Sequence, residues 1–183
     1  MFIHLNDLEL QKVDFKQAFE PGVIDLGPEV EQTLPLQAKG RAELVAESRG
    51  HKQVVADIRL VGEYSTRVES PCARCLEPVS HDLKGDFDLL YRPQGVDGGR
   101  EEVSISEADT EIGYYSGDGL LLEDVLKEQV LLAIPLRALC REDCRGLCPK
   151  CGLNRNAEAC SCPSEKTDER WTALAGLKDK LKK

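Results

Sequence analysis

The chain has 183 residues, 41% hydrophobic and 31% charged, with a formal net charge of −9. This length fits one domain, or one with a small appendage, and the composition excludes an intrinsically disordered chain; no apolar run approaches the roughly 20 residues of a membrane helix. Residues 1–128 carry a net −13 and residues 129–183 a net +4, so two-thirds of the chain should repel a phosphate backbone.

The first half reads as strands. From Leu34 to Leu44 apolar or small residues hold the even positions and Gln37, Lys39, Arg41 and Glu43 the odd ones, which is the period of a strand with one buried face. Pro35 places the near end of that strand at an edge. After the polar turn Glu47-Ser48-Arg49-Gly50-His51 the alternation resumes with Val54, Ala56, Ile58, Leu60, Gly62 and Tyr64 on one face. Asp57, Arg59 and Glu63 lie on the other, where Val55 and Val61 are exceptions. A third run follows Pro71-Cys72-Ala73-Arg74-Cys75: Val79, His81, Leu83, Gly85, Phe87, Leu89 and Tyr91 alternate with polar residues. Three long strands joined by two turns predict an antiparallel meander whose second turn carries a cysteine pair.

Residues 93–100 form a loop, and residues 94–128 carry a net −8. Ile105, Ile112 and Tyr114 allow one or two short strands, and Asp118-Gly119 is a turn. From about Leu121 to Ala133 the spacing is helical, with Leu122, Val125, Leu126, Leu132 and Ala133 on one face, and Pro135 stops the helix. Residues 140–162 fit neither period. From Thr167 to Leu181 helical spacing returns with Trp171, Leu174, Leu177 and Leu181, acids in its first turn and lysines in its last. The expected fold class is α+β: an antiparallel β-meander body with one packed helix, a C-terminal zinc-ribbon-like module and a short C-terminal helix. The expected divisions are a body over 1–139, a cysteine-rich module over 140–162 and a helical tail over 163–183.

The eight cysteines carry the strongest signal. Met1-Phe2-Ile3-His4-Leu5-Asn6-Asp7 lacks the basic region and apolar core of a secretory signal, so a cytoplasmic protein is expected. There, clustered cysteines are metal ligands or catalytic thiols more often than disulfides. The spacings are Cys72-x2-Cys75, Cys140-x3-Cys144-x3-Cys148-x2-Cys151 and Cys160-x-Cys162. Two thiolates three positions apart on a tight turn point at one ion; in Cys148-Pro149-Lys150-Cys151-Gly152, Pro149 presets the turn and Gly152 can take positive φ. Thiolate zinc needs four ligands at about 2.3 Å. Eight cysteines therefore make two closed zinc sites per chain, Cys72, Cys75, Cys140 and Cys144 at one, Cys148, Cys151, Cys160 and Cys162 at the other. The first would lock distant segments together, and the second would be local and fold as a unit. The single-residue spacing of Cys160 and Cys162 is less usual for zinc, so a set lacking one of them is an alternative. A redox pair at Cys72 and Cys75 is another, although that chemistry wants a strand before the pair and a helix after it. Four cysteines also hold iron–sulfur clusters.

Other residues offer little. His4, His51 and His81 are scattered, and His81 is expected as a hydrogen-bonded core histidine. No phosphate loop, dinucleotide fingerprint or nucleophile elbow is present, and a closed four-thiolate site leaves no position for substrate. No enzymatic activity is expected.

The order of motifs is specific. A β-rich half with Glu69-Ser70-Pro71-Cys72-Ala73-Arg74-Cys75-Leu76-Glu77-Pro78 precedes the helix Glu123-Asp124-Val125-Leu126-Lys127-Glu128-Gln129-Val130-Leu131-Leu132-Ala133-Ile134-Pro135-Leu136. Leu139-Cys140-Arg141-Glu142-Asp143-Cys144-Arg145-Gly146-Leu147-Cys148-Pro149-Lys150-Cys151-Gly152 and a short helix around Trp171 follow. Over most of its length this chain resembles the YceD family, the large-subunit ribosomal RNA accumulation proteins of bacteria and plastids. The resemblance implies a non-catalytic role in ribosome biogenesis, with a large-subunit ribosomal protein or precursor particle as partner. A small zinc-ribbon ribosomal protein is one such partner, because the two genes neighbour each other in many bacteria. Some relatives keep the Cys72/Cys75 pair and lack the Cys148–Cys162 module, which implies separable sites.

An acidic body suits a basic ribosomal protein, and both the meander's polar face and the segment 94–128 are expected to offer broad negative potential. Direct RNA contact through the C-terminal third is the alternative. Arg141, Arg145, Lys150 and Arg155 are available there, but residues 140–162 sum to only +1 and lack stacking aromatics. A redox- or zinc-responsive regulator is a further alternative.

Overall fold

The computed structural model describes residues 1–48, 54–96 and 112–163. The charged run from Glu101 to Glu111, Ile105, His51 and the expected tail helix lie outside the described residues. The elements are β1 (Phe2–His4), α1 (Leu5–Leu10), β2 (Val13–Phe19), β3 (Glu31–Ser48), β4 (Val54–Pro71), β5 (Pro78–Pro93), β6 (Ile112–Tyr115), β7 (Gly119–Leu121) and α2 (Leu122–Ala133). One sheet runs β2-β3-β4-β5-β6, and β1 pairs with β7 in a second. The three predicted strands are β3, β4 and β5, antiparallel as expected and longer at their ends. The body is nevertheless a mixed sheet, because β6 joins β5 in parallel.

Alternation builds the core. Leu36, Ala38 and Ala42 of β3, Ile58, Leu60, Tyr64 and Val68 of β4, and Leu83, Phe87 and Tyr91 of β5 are all buried. Across the sheet Phe15, Gly40, Gly62 and Phe87 stand in one register row. A Cβ on Gly40 would come within 2.7 Å of Phe15 Cζ, and one on Gly62 within 2.7 Å of Phe87 Cζ. The two glycines are thus the space into which the flanking rings fold.

Pro35 sits in an interior strand, at the irregularity between Leu34 and Gln37. The ladder with β2 begins only at Leu36, so the first residues of β3 extend past β2 and form a local edge. Two register shifts bracket Leu34, which is exposed, whereas Gln32 before them is buried in phase with Leu36 and Ala38. At the start of β4 the faces differ from expectation. Val55 and Asp57 are buried and Ala56 exposed, because Asp57 pairs with Arg92 inside the protein, Nη2 to Oδ2 at 3.0 Å. On α2 the buried face is Leu122, Val125, Leu126 and Val130; Leu132 and Ala133 are exposed. Pro135 forces Ile134 into extended backbone and ends the helix, and Ile134 packs against the core. Tyr64 Oη donates to Gln129 O at 3.1 Å and ties α2 to β4.

Across the outer face, charges pair between strands: Arg41 with Asp14, Arg59 with Asp88, and Arg67 with Asp82, each at 2.6 Å, and Lys39 with Glu63 at 3.0 Å. The meander's polar face therefore largely neutralises itself. Residues 1–93 still carry a net −5, beside the net −8 of residues 94–128.

Candidate metal centre

Strands β4 and β5 are in register to their last pair, Pro71 opposite Pro78. Neither proline can extend a two-sided ladder, and the six residues between them form a knuckle. Leu76 N donates to Cys72 O at 3.0 Å and Cys72 N to Glu77 O at 2.8 Å. Leu76 takes φ 63°, which turns the chain back beneath the two sulfurs.

The same construction recurs at Cys148-Pro149-Lys150-Cys151-Gly152-Leu153. Gly152 N donates to Cys148 O at 2.8 Å, Cys148 N donates to Leu153 O at 2.8 Å, and Gly152 takes φ 72°. Position by position the two knuckles share their hydrogen bonds and their one left-handed residue. One uses glycine there, and the other an exposed leucine.

Each knuckle gathers the second half of a quartet. Sulfurs of Cys72, Cys75, Cys140 and Cys144 lie within 4.8 Å of one another, as do those of Cys148, Cys151, Cys160 and Cys162. These are the two sets expected from spacing, and both Cys160 and Cys162 join the second. Of the two histidines among the described residues, neither His4 nor His81 contributes; His81 Nε2 instead lies 2.9 Å from Ser70 Oγ. Cys72, Cys75, Cys144 and Cys148 are buried, whereas Cys140 and Cys151 are exposed. A tetrahedral ion with Zn–S bonds of about 2.3 Å has S···S edges of about 3.8 Å. Cys72 and Cys144 are 3.9 Å apart and Cys75 and Cys140 3.5 Å, so these two of the first quartet's six edges match that tetrahedron.

The thiols are prepared to ionise unequally. The backbone N–H of Arg74, then that of Cys140, lower Cys72 to about 6; those of Cys151 and Lys150 do the same for Cys148. Desolvation of its sulfur where it faces the other thiols, reinforced by hydrogen bonding to Cys75, pushes Cys140 up to about 12 although the residue as a whole is exposed. The bond to Cys151, reinforced by burial, raises Cys162 to about 12. Burial opposes ionisation of Cys144, but the Asn156 amide and the Gly146 N–H outweigh it and lower its pKa. Thiolates crowded this closely repel one another, and a dication relieves that repulsion.

The second module leans on the first. Leu147 N donates to Arg74 O at 2.9 Å. The Arg74 guanidinium donates to Cys144 O at 2.8 Å, and Asn154 Nδ2 to Glu77 Oε1 at 3.2 Å. Asn156 Nδ2 donates to the Cys144 sulfur at 3.3 Å. Sequence reasoning found all eight cysteines and none of these polar partners. Asn154-Arg155-Asn156 carries only the signature of a turn.

The profile of the family described as large ribosomal RNA subunit accumulation protein YceD matches residues 60–178. An uncharacterized protein of Mycobacterium tuberculosis (strain ATCC 25618 / H37Rv) is 27% identical over 157 residues, covering 81% of this chain and 73% of the relative. The chloroplastic large ribosomal RNA subunit accumulation protein YCED homolog 1 of Arabidopsis thaliana is 26% identical over 149 residues, covering 68% of this chain and 45% of that protein. The YlbN protein of Bacillus subtilis (strain 168) is 25% identical over 175 residues, covering 94% and 92%. No solved structure matches significantly.

Proposed function

Because this chain belongs to the YceD family of large ribosomal RNA subunit accumulation proteins, we propose that it acts in ribosome biogenesis, supporting accumulation of that RNA by non-catalytic binding in the cytoplasm. Its partner is a basic ribosomal protein of the large subunit, or the precursor particle that contains one. Each quartet holds a zinc ion. Four thiolates close the coordination sphere, so the metals fix structure and leave no site for substrate.

The observation that carries the partner's class is the distribution of charge. The outer face of the meander pairs its own charges. Residues 94–128 keep a net −8, and two loaded four-thiolate sites take the formal −9 to about −13. Such a surface attracts a basic protein and repels RNA. The test is affinity purification after nuclease treatment, comparing the native chain with a Glu101, Glu102, Glu107 and Glu111→Gln variant. Ribosomal proteins should be recovered with the native chain and depleted with the variant; undiminished recovery removes this segment from the mechanism.

A second reading is RNA contact at the second quartet. A cavity of about 220 Å³ there is lined by Arg145, Lys150 and Arg155 beside Cys148, Cys160 and Cys162. Loss of all partners on nuclease treatment, with steep salt dependence of RNA binding, would favour it.

A further inference from the structure

We infer that Asn156 couples the two quartets, so that metal bound at the second raises the affinity of the first. This inference rests on the reading of both quartets as zinc sites.

The amide of Asn156 is fully committed. Its Oδ1 accepts from Arg145 N at 2.8 Å and from Arg141 Nη2 at 2.9 Å. Its Nδ2 donates to Asn154 Oδ1 at 2.9 Å and to Cys144 Sγ at 3.3 Å. Two donors and two acceptor positions are all that an asparagine has, and all are used. A flipped amide would face its NH2 to two other donors, so the network itself fixes which atom meets the sulfur.

Asn156 does not belong to the first quartet's own segments. It lies between Cys151 and Cys160, in a loop pinned at both ends by the second quartet. Inside the loop, Ala157 N and Glu158 N both donate to Asn154 O at 3.1 Å, and Arg155 N donates to Gly146 O at 2.9 Å. Without an ion to hold Cys151 and Cys160 together, this short loop pays the entropy of closure from a few hydrogen bonds alone. With the ion bound, closure is already made, and the loop delivers an N–H donor to the Cys144 thiolate. Hydrogen bonds to ligand atoms hold them in the ligating state, and their removal typically lowers metal affinity by 10–100-fold. Linkage makes the effect reciprocal: an ion at the first quartet strengthens the second by the same factor. The local, independent second site expected from spacing is thus a partner in the first.

The test uses the full chain, loaded with zinc and competed with a chromophoric chelator. Cadmium-113 spectra of the cadmium form identify which quartet empties. Asn156→Ala should weaken the first quartet by about 10–100-fold. Asn156→Asp, of the same shape, should weaken it further, because a carboxylate oxygen then faces the thiolate. Emptying the second quartet with Cys160→Ser/Cys162→Ser should weaken the first by the same factor as Asn156→Ala, and adding Asn156→Ala to that variant should change little. A stepwise titration of the metal-free native chain should show the two ions binding cooperatively. First-quartet affinity unchanged in both Asn156 variants, or fully additive losses, overturns the coupling. A native chain that binds no zinc overturns the zinc reading itself, an outcome distinct from two sites that fill independently.

Discussion

Cys75 Sγ lies 3.5 Å from Cys140 Sγ although 65 residues separate the two in sequence. That pair closes the loop containing β5, β6, β7 and α2, so an ion at the first quartet fastens the end of the β4–β5 hairpin to the chain leaving α2. The second quartet closes a loop of only a few residues. Cys72→Ser should therefore lower the melting temperature by on the order of 10 °C, and Cys151→Ser by clearly less, since metal binding at a site absent from the unfolded chain is folding free energy. Thermal unfolding with elemental analysis checks both. The native protein should carry two zinc ions and each variant fewer, and equal losses of stability would contradict the roles assigned.

Metal uptake should release fewer than four protons per ion at pH 7. With folded values of about 6, Cys72 and Cys148 are already thiolates there and have nothing to release. Cys140 and Cys162, raised to about 12, still hold their protons and must give them up. Below pH 6 the depressed thiols take up protons too, so the count should climb toward four and affinity should fall as pH falls. Calorimetric titration in buffers of different ionisation enthalpy counts the protons. Four per ion at pH 8 would refute the unequal ionisation.

Leu76→Gly should stabilise the protein. A left-handed residue with a Cβ costs roughly 1–2 kcal/mol, and glycine returns about 0.5–1 of that as unfolded-state entropy. Leu76 is 64% exposed, so little burial is lost. The expected gain is about 0.5 kcal/mol, or about 1–2 °C in melting temperature, with zinc content unchanged. Gly152→Ala places a Cβ at φ 72° in the matching knuckle and should shift stability in the opposite direction. Denaturant unfolding of both variants tests the equivalence of the two knuckles.

The long strands were legible because their faces alternate without interruption, and the quartets because paired thiols on tight turns suit little besides a metal ion. The end of β4 was harder to read. Thr66 and Ser70 are buried on the apolar face, and Thr66 Oγ1 donates to Leu34 O at 3.0 Å, so a small polar residue fills a core position. Strands β1 and β7 have three residues each, too few to show a period. Leu132 and Ala133 fit the helix's apolar stripe in sequence but are exposed; the last buried position of α2 is Val130, and Ile134, just past the helix, packs against the core. Asn156 was invisible for another reason: its role depends on Cys144, and only the fold reveals which loop lies beside that sulfur.

Asp57 has the sequence pattern of a solvated strand residue yet lies inside the protein. Asp57 is 1% exposed and Arg92 2%. The guanidinium meets the carboxylate twice, Nε to Oδ1 at 3.3 Å and Nη2 to Oδ2 at 3.0 Å, between adjacent strands β4 and β5. Removing one member of such a pair strands the other charge in a medium that solvates it poorly, at a cost of about 3–5 kcal/mol. Asp57→Ala should therefore lower the melting temperature by roughly 10 °C, with little dependence on salt. Asp82→Ala breaks a pair of similar length with Arg67, but those side chains are 74% and 45% exposed. It should cost far less, and less still as salt rises. Thermal unfolding of both variants at low and high ionic strength separates the two cases. Equal, salt-sensitive losses would mean that water reaches Asp57, and that the second face of the sheet at the start of β4 is open rather than sealed.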